Sequence, residues 1–244
     1  MSELLTVRNL KKANILNDIN FSMQQGEMIA VMGPSGSGKS TLLYNISGMD
    51  RADEGEILLD GTDIAGMSED ERAAVRLTRM GFVFQQMNML SGLNLLDNIV
   101  LPAVHADPGN RRDYYARAAA LMETFHIGEL AGRRVNEVSG GQLQRACICR
   151  SMILEPEILF ADEPTGALNQ AAAAEVMEAF LRINRQGTSV LMVTHDSRVA
   201  GMCERILYIL DGRIIGELTL GKYKPENAEE RGKKTDDWLR TMGW

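Results

Sequence analysis

The most specific chemistry in this chain lies in Gly33-Pro34-Ser35-Gly36-Ser37-Gly38-Lys39-Ser40-Thr41, which follows the apolar run Met28 to Met32 and precedes the helix-like Leu42 to Ile46. The pattern is G-x-x-x-x-G-K-[ST] between a strand and a helix. Gly33, Gly36 and Gly38 lack a Cβ, so the backbone can turn its N–H groups inward around an anion, and a helix start adds partial positive charge. A polyphosphate fits such a loop. Lys39 can reach terminal phosphates, the Ser40 hydroxyl can ligate Mg²⁺, and Ser35 and Thr41 offer further donors.

A second group of residues sits where an α/β sheet places chemistry. Ile158-Leu-Phe-Ala-Asp162 and Thr188-Ser-Val-Leu-Met-Val-Thr-His195 are continuous apolar runs ending in polar residues, the signature of parallel strands buried on both faces. Their carboxyl ends face the ligand crevice. Asp162 there suits Mg²⁺, and Glu163 can orient and polarise the water attacking a γ-phosphate. His195 and Gln85, the latter closing the short strand Met80 to Gln85, are strand-end residues of the same kind. Ser139-Gly140-Gly141-Gln142 precedes the helix-like Leu143 to Leu154 and makes a second anion-accepting helix start. One nucleotide does not need two such cradles in one chain. A head-to-tail dimer, each serine-glycine turn covering the nucleotide on its partner's phosphate loop, uses both.

Composition is that of an ordinary globular protein: 244 residues, 45% hydrophobic, 24% charged. The net charge of -7 disfavours a nucleic-acid partner. Cys147, Cys149 and Cys203 form no disulfide framework or zinc spacing and read as reduced core thiols. The N-terminus has no signal-peptide pattern, no run reaches the ~20 residues of a membrane span, and no repeat is evident, so a cytosolic site of action is expected.

Strands are expected over Leu4 to Leu10, within Ile15 to Met23, and in hairpins around Asp60-Gly61 and Asp211-Gly212. Helical spacing over Leu93 to Val104 and Arg112 to Phe125 predicts a helical subdomain inserted at about 87–153. The expected organisation is a nucleotide-binding domain over 1–220 and a charged tail over 221–244. Trp238 and Met242 lie one helical turn apart in that tail, so a short amphipathic helix there can dock on its own domain or on a partner.

The order and spacing of the phosphate loop, Gln85, Ser139-Gly-Gly-Gln142, Ile158-Leu-Phe-Ala-Asp-Glu-Pro164 and His195 resemble those of ABC-transporter nucleotide-binding subunits, from about residue 4 to 218. The resemblance implies an α/β fold, a P-loop NTPase core with an antiparallel β portion and the inserted helical subdomain. It implies ATP hydrolysis with Mg²⁺, a homodimer, and an integral-membrane permease as partner, which would hold the chain at the cytoplasmic face of the membrane. By the same resemblance Gln85 senses Mg²⁺ and the attacking water, His195 contacts the γ-phosphate as a switch, and Ser139 and Gly141 grip that phosphate in trans. Met87, Met89 and Leu90 become candidates for permease contact, or else subdomain core.

Three departures stand out. Lys11-Lys-Ala-Asn14 lacks the aromatic residue that commonly stacks on adenine, Val138 replaces the commoner Leu, and Asn169 stands where many members carry Asp. Gly81-Phe-Val-Phe-Gln-Gln86, Asn98-Ile-Val-Leu-Pro102 and Ala161 to Ala167 are similar to the branch serving lipoprotein release, macrolide export and cell-division signalling. Asn169 and the C-terminal segment are most similar to Gram-positive antimicrobial-peptide resistance ATPases.

Overall fold

The structure, a computed structural model, describes residues 2–244. In chain order its elements are β1 (Glu3–Lys12), β2 (Leu16–Gln24), β3 (Met28–Met32), α1 (Lys39–Ile46), β4 (Glu54–Leu59), β5 (Thr62–Asp63), α2 (Glu69–Arg79) and β6 (Met80–Phe84). There follow α3 (Leu95–Ala106), α4 (Arg111–Thr124), α5 (Gly140–Met152), β7 (Ile158–Asp162) and α6 (Gln170–Arg185). The chain ends with β8 (Ser189–Val193), α7 (Ser197–Ala200), β9 (Arg205–Leu210), β10 (Arg213–Thr219) and α8 (Ala228–Thr241). Contacts divide it into two units, residues 1–73 with 187–244, and residues 74–186, the division falling inside α2.

The first unit holds the antiparallel order β2-β1-β4-β5 and the run β10-β9-β3-β8. In that run β3 pairs in parallel with both β8 and β9, and β10 closes it antiparallel. Every residue of β3 and β8 is buried, as an apolar strand covered on both faces requires. Both hairpin turns have two successive residues at positive φ, Asp60 and Gly61 at 48° and 74°, Asp211 and Gly212 at 47° and 72°. That is the type I′ geometry which matches strand twist, and Asp-Gly supplies it with little strain.

The second unit contains the parallel pair β6 and β7, with Phe82 stacked on Phe160 at 5.7 Å, and the helices α3, α4, α5 and α6. Helical periodicity located α3, α4 and α5 but not α2 or α6. Their signals were caps: Ser68 and Glu71 form a reciprocal box at the start of α2, and the Asn169 side chain accepts from Ala172 N–H at the start of α6. The Asn169 departure therefore keeps the helix cap.

All three cysteines are free and buried. Burial pushes the Cys147 thiol up to about 11 and Cys203 up to about 12, and Cys149 is raised by the same cause. A maleimide at pH 8 is expected to label none of the three in folded protein and all three in denaturant. Rapid labelling of the native chain at any of them would contradict this packing.

Candidate functional site

In the first unit the phosphate loop links β3 to α1. Gly33 has a φ of 151°, and a Cβ there would sit 2.0 Å from the Ile209 carbonyl oxygen, so the loop can only start this close to β9 with glycine. Gly36 has a φ of 79° with nothing within 4 Å of a built Cβ, and Gly38 caps α1 in a left-handed conformation with a φ of 101°. Ser35 and Gly36 are exposed, and Lys39, Ser40 and Thr41 are half-buried at the helix start. Lys39 Nζ donates to the carbonyls of Gly33 and Pro34, at 2.8 Å each, which holds the cation over the loop. An exposed apex, a helix N-terminus and a fixed ammonium together fit a polyphosphate.

His195 belongs to the same unit. Val31 of β3 is in register with Val193 of β8, and Thr194 N–H donates to the Val31 carbonyl at 3.2 Å. The phosphate loop and the exposed His195 thus emerge from the same end of adjacent parallel strands. Asp196 caps α7 immediately afterwards and is paired with Arg198 at 2.8 Å. The hydrogen bond from Arg198 holds the Asp196 carboxyl below the usual carboxylate range. Because the folded value is depressed, this cap's contribution is complete above the ordinary aspartate value and is lost as pH falls through the lowered one.

Beside the phosphate loop lies a hollow of about 660 Å³ whose walls include Gly36, Lys11, Lys12, Asn14, Ile15 and Asp53, with no aromatic residue in its lining. The walls are braced by charge: Lys12 pairs with Asp50 at 3.0 Å, Lys11 with Glu54 at 2.6 Å, and the Asp53 carboxylate accepts from Ala13 N–H at 2.7 Å. The lysine contact holds the Asp50 carboxyl below its ordinary value.

In the second unit Asp162 closes β7, and Glu163 follows at a φ of 49°, a left-handed conformation uncommon for a non-glycine residue. Gly166 N–H closes the turn onto the Glu163 carbonyl at 3.1 Å. A Cβ at Gly166 would lie 3.2 Å from Gln85 Nε2, so the exposed Gln85 side chain rests against the turn that carries Glu163. Gln85 is held from below by α5: Gln144 Nε2 donates to the Phe84 carbonyl at 3.2 Å, and Arg150 donates to the carbonyls of Met87 and Asn88 at 3.0 and 2.8 Å. Sequence reading passed over Gln144 and Arg150, since polar residues on a helix look like a solvated face. Met87 and Met89 are half-buried and Leu90 is exposed.

At the other end of α5, Ser139 Oγ accepts from Gln142 N–H at 3.3 Å while Gln142 Oε1 accepts from Ser139 N–H at 2.9 Å, a complete capping box. Capping uses the serine as acceptor only, so its hydroxyl proton remains available to a ligand. Gly140 and Gly141 let α6 approach: a Cβ at Gly141 would lie 2.8 Å from the Ala172 methyl, and one at Gly140 would lie 3.3 Å from Leu168 Cδ2. Each residue singled out for nucleotide chemistry is accounted for in one unit or the other, with the phosphate loop and His195 in the first, and Gln85, Ser139 to Gln142, Asp162 and Glu163 in the second.

Comparison with known proteins agrees with this inventory. The family model described as "ABC transporter" matches residues 16–166. The lipoprotein-releasing system ATP-binding protein LolD of Aquifex aeolicus is 38% identical over 90% of this chain and 99% of its own length. The macrolide export ATP-binding/permease protein MacB of Neisseria meningitidis is 40% identical over 93% of this chain, which spans only 35% of MacB. The dimeric structure of the bacterial ABC transporter cassette MJ0796 superposes with a TM-score of 0.81 at 34% identity, covering 90% of this chain and 100% of that one. The same cassette is known in a post-hydrolysis state bound to ADP and Pi, with a TM-score of 0.79. With these matches, and with an α/β P-loop core of the kind they share, the chain belongs to the ABC transporter ATPase family.

Proposed function

We propose that this chain is the ATP-hydrolysing motor of a transporter, working as a head-to-tail homodimer that drives a separate membrane permease. The observation that carries the reading is the presence of two glycine-containing helix starts suited to a phosphate in different units of one chain, the loop at Gly33 to Thr41 and the serine-capped turn at Ser139. The LolD relative is named the ATP-binding protein of a lipoprotein-releasing system, and the separate permease is carried over from that likeness. Among the described residues no helix is long and apolar enough to cross a membrane. In the proposed transporter the permease holds the chain at the cytoplasmic face of the membrane.

In this reading Lys39 and the loop N–H groups bind the β- and γ-phosphates, and Ser139 and Gly141 of the partner protomer donate to the γ-phosphate. Glu163 orients the attacking water and accepts its proton, a task typically worth about 10² to 10⁴ in rate. Ser40 and Asp162, with Gln85, supply the oxygen donors that suit Mg²⁺, which when bound would neutralise phosphate charge. His195 donates to the γ-phosphate and reports its loss. Met87, Met89 and Leu90 offer adaptable apolar surface to a permease helix.

The hollow beside Gly36 takes the nucleoside. With lysines, carboxylates and the Ile15 side chain in place of an aromatic platform, it discriminates weakly between purines. GTP and ATP are expected to be hydrolysed at rates within about tenfold of each other, a barrier difference of about 1.4 kcal/mol or less. A larger preference for ATP in a phosphate-release assay would show that the base is read after all.

For the cargo, we infer antimicrobial-peptide resistance or export, supported by Asn169 and the C-terminal segment. A second reading is a mechanotransmitting motor of the lipoprotein-release, macrolide-export or cell-division branch that need not move a substrate across the membrane, and the relatives' names point to that branch. Tagged Glu163→Gln protein, held with Mg-ATP in detergent, should bring down its permease. A permease with many spans and a large extracellular domain supports peptide resistance, and one with few spans and a periplasmic domain supports the second reading. Recovery of no membrane protein would overturn the transporter assignment and leave the ATPase.

A further inference from the structure

The C-terminal helix α8 does more than cover the first unit. Its Arg231 is 4% exposed, and a buried guanidinium must find acceptors for its fork of donors. It finds backbone carbonyls in two places. Nε and Nη2 donate to Gly201 and Cys203, at 2.9 and 2.6 Å, just beyond α7, while Nη1 donates to Leu220, Gly221 and Lys222 after β10. Thr235, fully buried one turn along, would lie 3.5 Å from a Cβ at Gly201, so α8 presses closely on the end of α7.

Both places lead to the nucleotide loop. Helix α7 is a single capped turn, with Ala200 N–H on the Asp196 carbonyl and Gly201 N–H on that of Ser197, so fixing Gly201 fixes the segment that starts at His195. On the other side, Trp238 and Met242 pack over Gly216 of β10, and Trp238 and Trp244 each meet the Tyr208 ring of β9 edge-on at 6.2 Å. The β9–β10 hairpin in turn abuts the phosphate loop, through the Ile209 carbonyl against Gly33 and through Gly212 N–H to the Ser37 carbonyl at 3.1 Å. We propose that Arg231 is a positioning residue for His195: by clamping the end of α7 to the segment that follows the β9–β10 hairpin, it sets where the histidine stands relative to the γ-phosphate.

This rests on His195 contacting the γ-phosphate, and the test separates the two ideas. ATP hydrolysis is measured across ATP concentration for Arg231→Met, Arg231→Lys, His195→Ala and the double variant Arg231→Met/His195→Ala, with ATP binding followed by a fluorescent analogue and folding by thermal melting. Arg231→Met is expected to lower kcat about tenfold or more with KM within about twofold, and Arg231→Lys to restore part of it. In the His195→Ala background the Arg231 change should cost nothing further. A wild-type kcat in Arg231→Met, or a second full loss on top of His195→Ala, overturns the proposal. A wild-type kcat in His195→Ala itself removes the histidine's role and the proposal with it. If Arg231→Met does not fold, Thr235→Val and Trp238→Ala loosen the same clasp and enter the same cycle with the same two outcomes.

Discussion

Glu163→Gln is expected to reduce steady-state ATP hydrolysis by about 10² to 10⁴ while leaving ATP binding intact and trapping a dimer. The substitution keeps the shape of the side chain and inherits the backbone, whose φ of 49° is set by the tight turn to Gly166 and does not depend on the carboxylate. Only the proton-accepting charge is lost. A water beside the γ-phosphate then has no base, so the closed dimer forms around Mg-ATP and does not reopen. Phosphate release gives the rate, and gel filtration with and without Mg-ATP gives the dimer. Turnover at the wild-type rate would remove Glu163 from the mechanism. Slow turnover without a trapped dimer would keep the base and remove the head-to-tail arrangement.

Much of the frame was legible because its causes are local. The run Met28 to Met32 reads as the strand that feeds the loop, and Asp60-Gly61 and Asp211-Gly212 as tight turns, since each depends on adjacent residues. The phosphate loop, the Ser139 cap and the strand-end Asp162 were legible for the same reason. What escaped depends on partners far away in the chain. Arg231 sits in a charged tail and reads as solvated, and its burial follows only once carbonyls from 201, 203 and 220–222 are brought around it. Arg150 and Gln144 look like a polar helix face until the carbonyls of 84, 87 and 88 are laid beside them. The second unit runs over 74–186, so it takes in β6, β7 and α6, because contact groups strands with the helices they support whatever the periodicity between them.

The arrangement of the two helix starts has the other large consequence, a difference between two heterodimers containing the same substitutions. Lys39→Ala removes the ammonium from the phosphate loop. Ser139→Asp retains a good N-cap, so α5 keeps its start, but it sets a carboxylate against the γ-phosphate. Each variant alone should be nearly inactive as a homodimer. In a heterodimer of the two, a trans site assembled from the intact loop of one chain and the intact serine turn of the other is whole, and its companion site carries both lesions. The isolated heterodimer should therefore keep about half of wild-type activity if the sites act independently. Pairing wild type with a chain carrying both substitutions gives a heterodimer in which each trans site has one lesion, so once isolated it should be nearly inactive. If the serine turn served the loop of its own chain the outcomes for the two heterodimers would exchange: the first would be dead and the second would retain one whole site. Hydrolysis measured on heterodimers isolated through two different tags reads the geometry directly, and activity in neither would mean that both sites must be intact for either to fire.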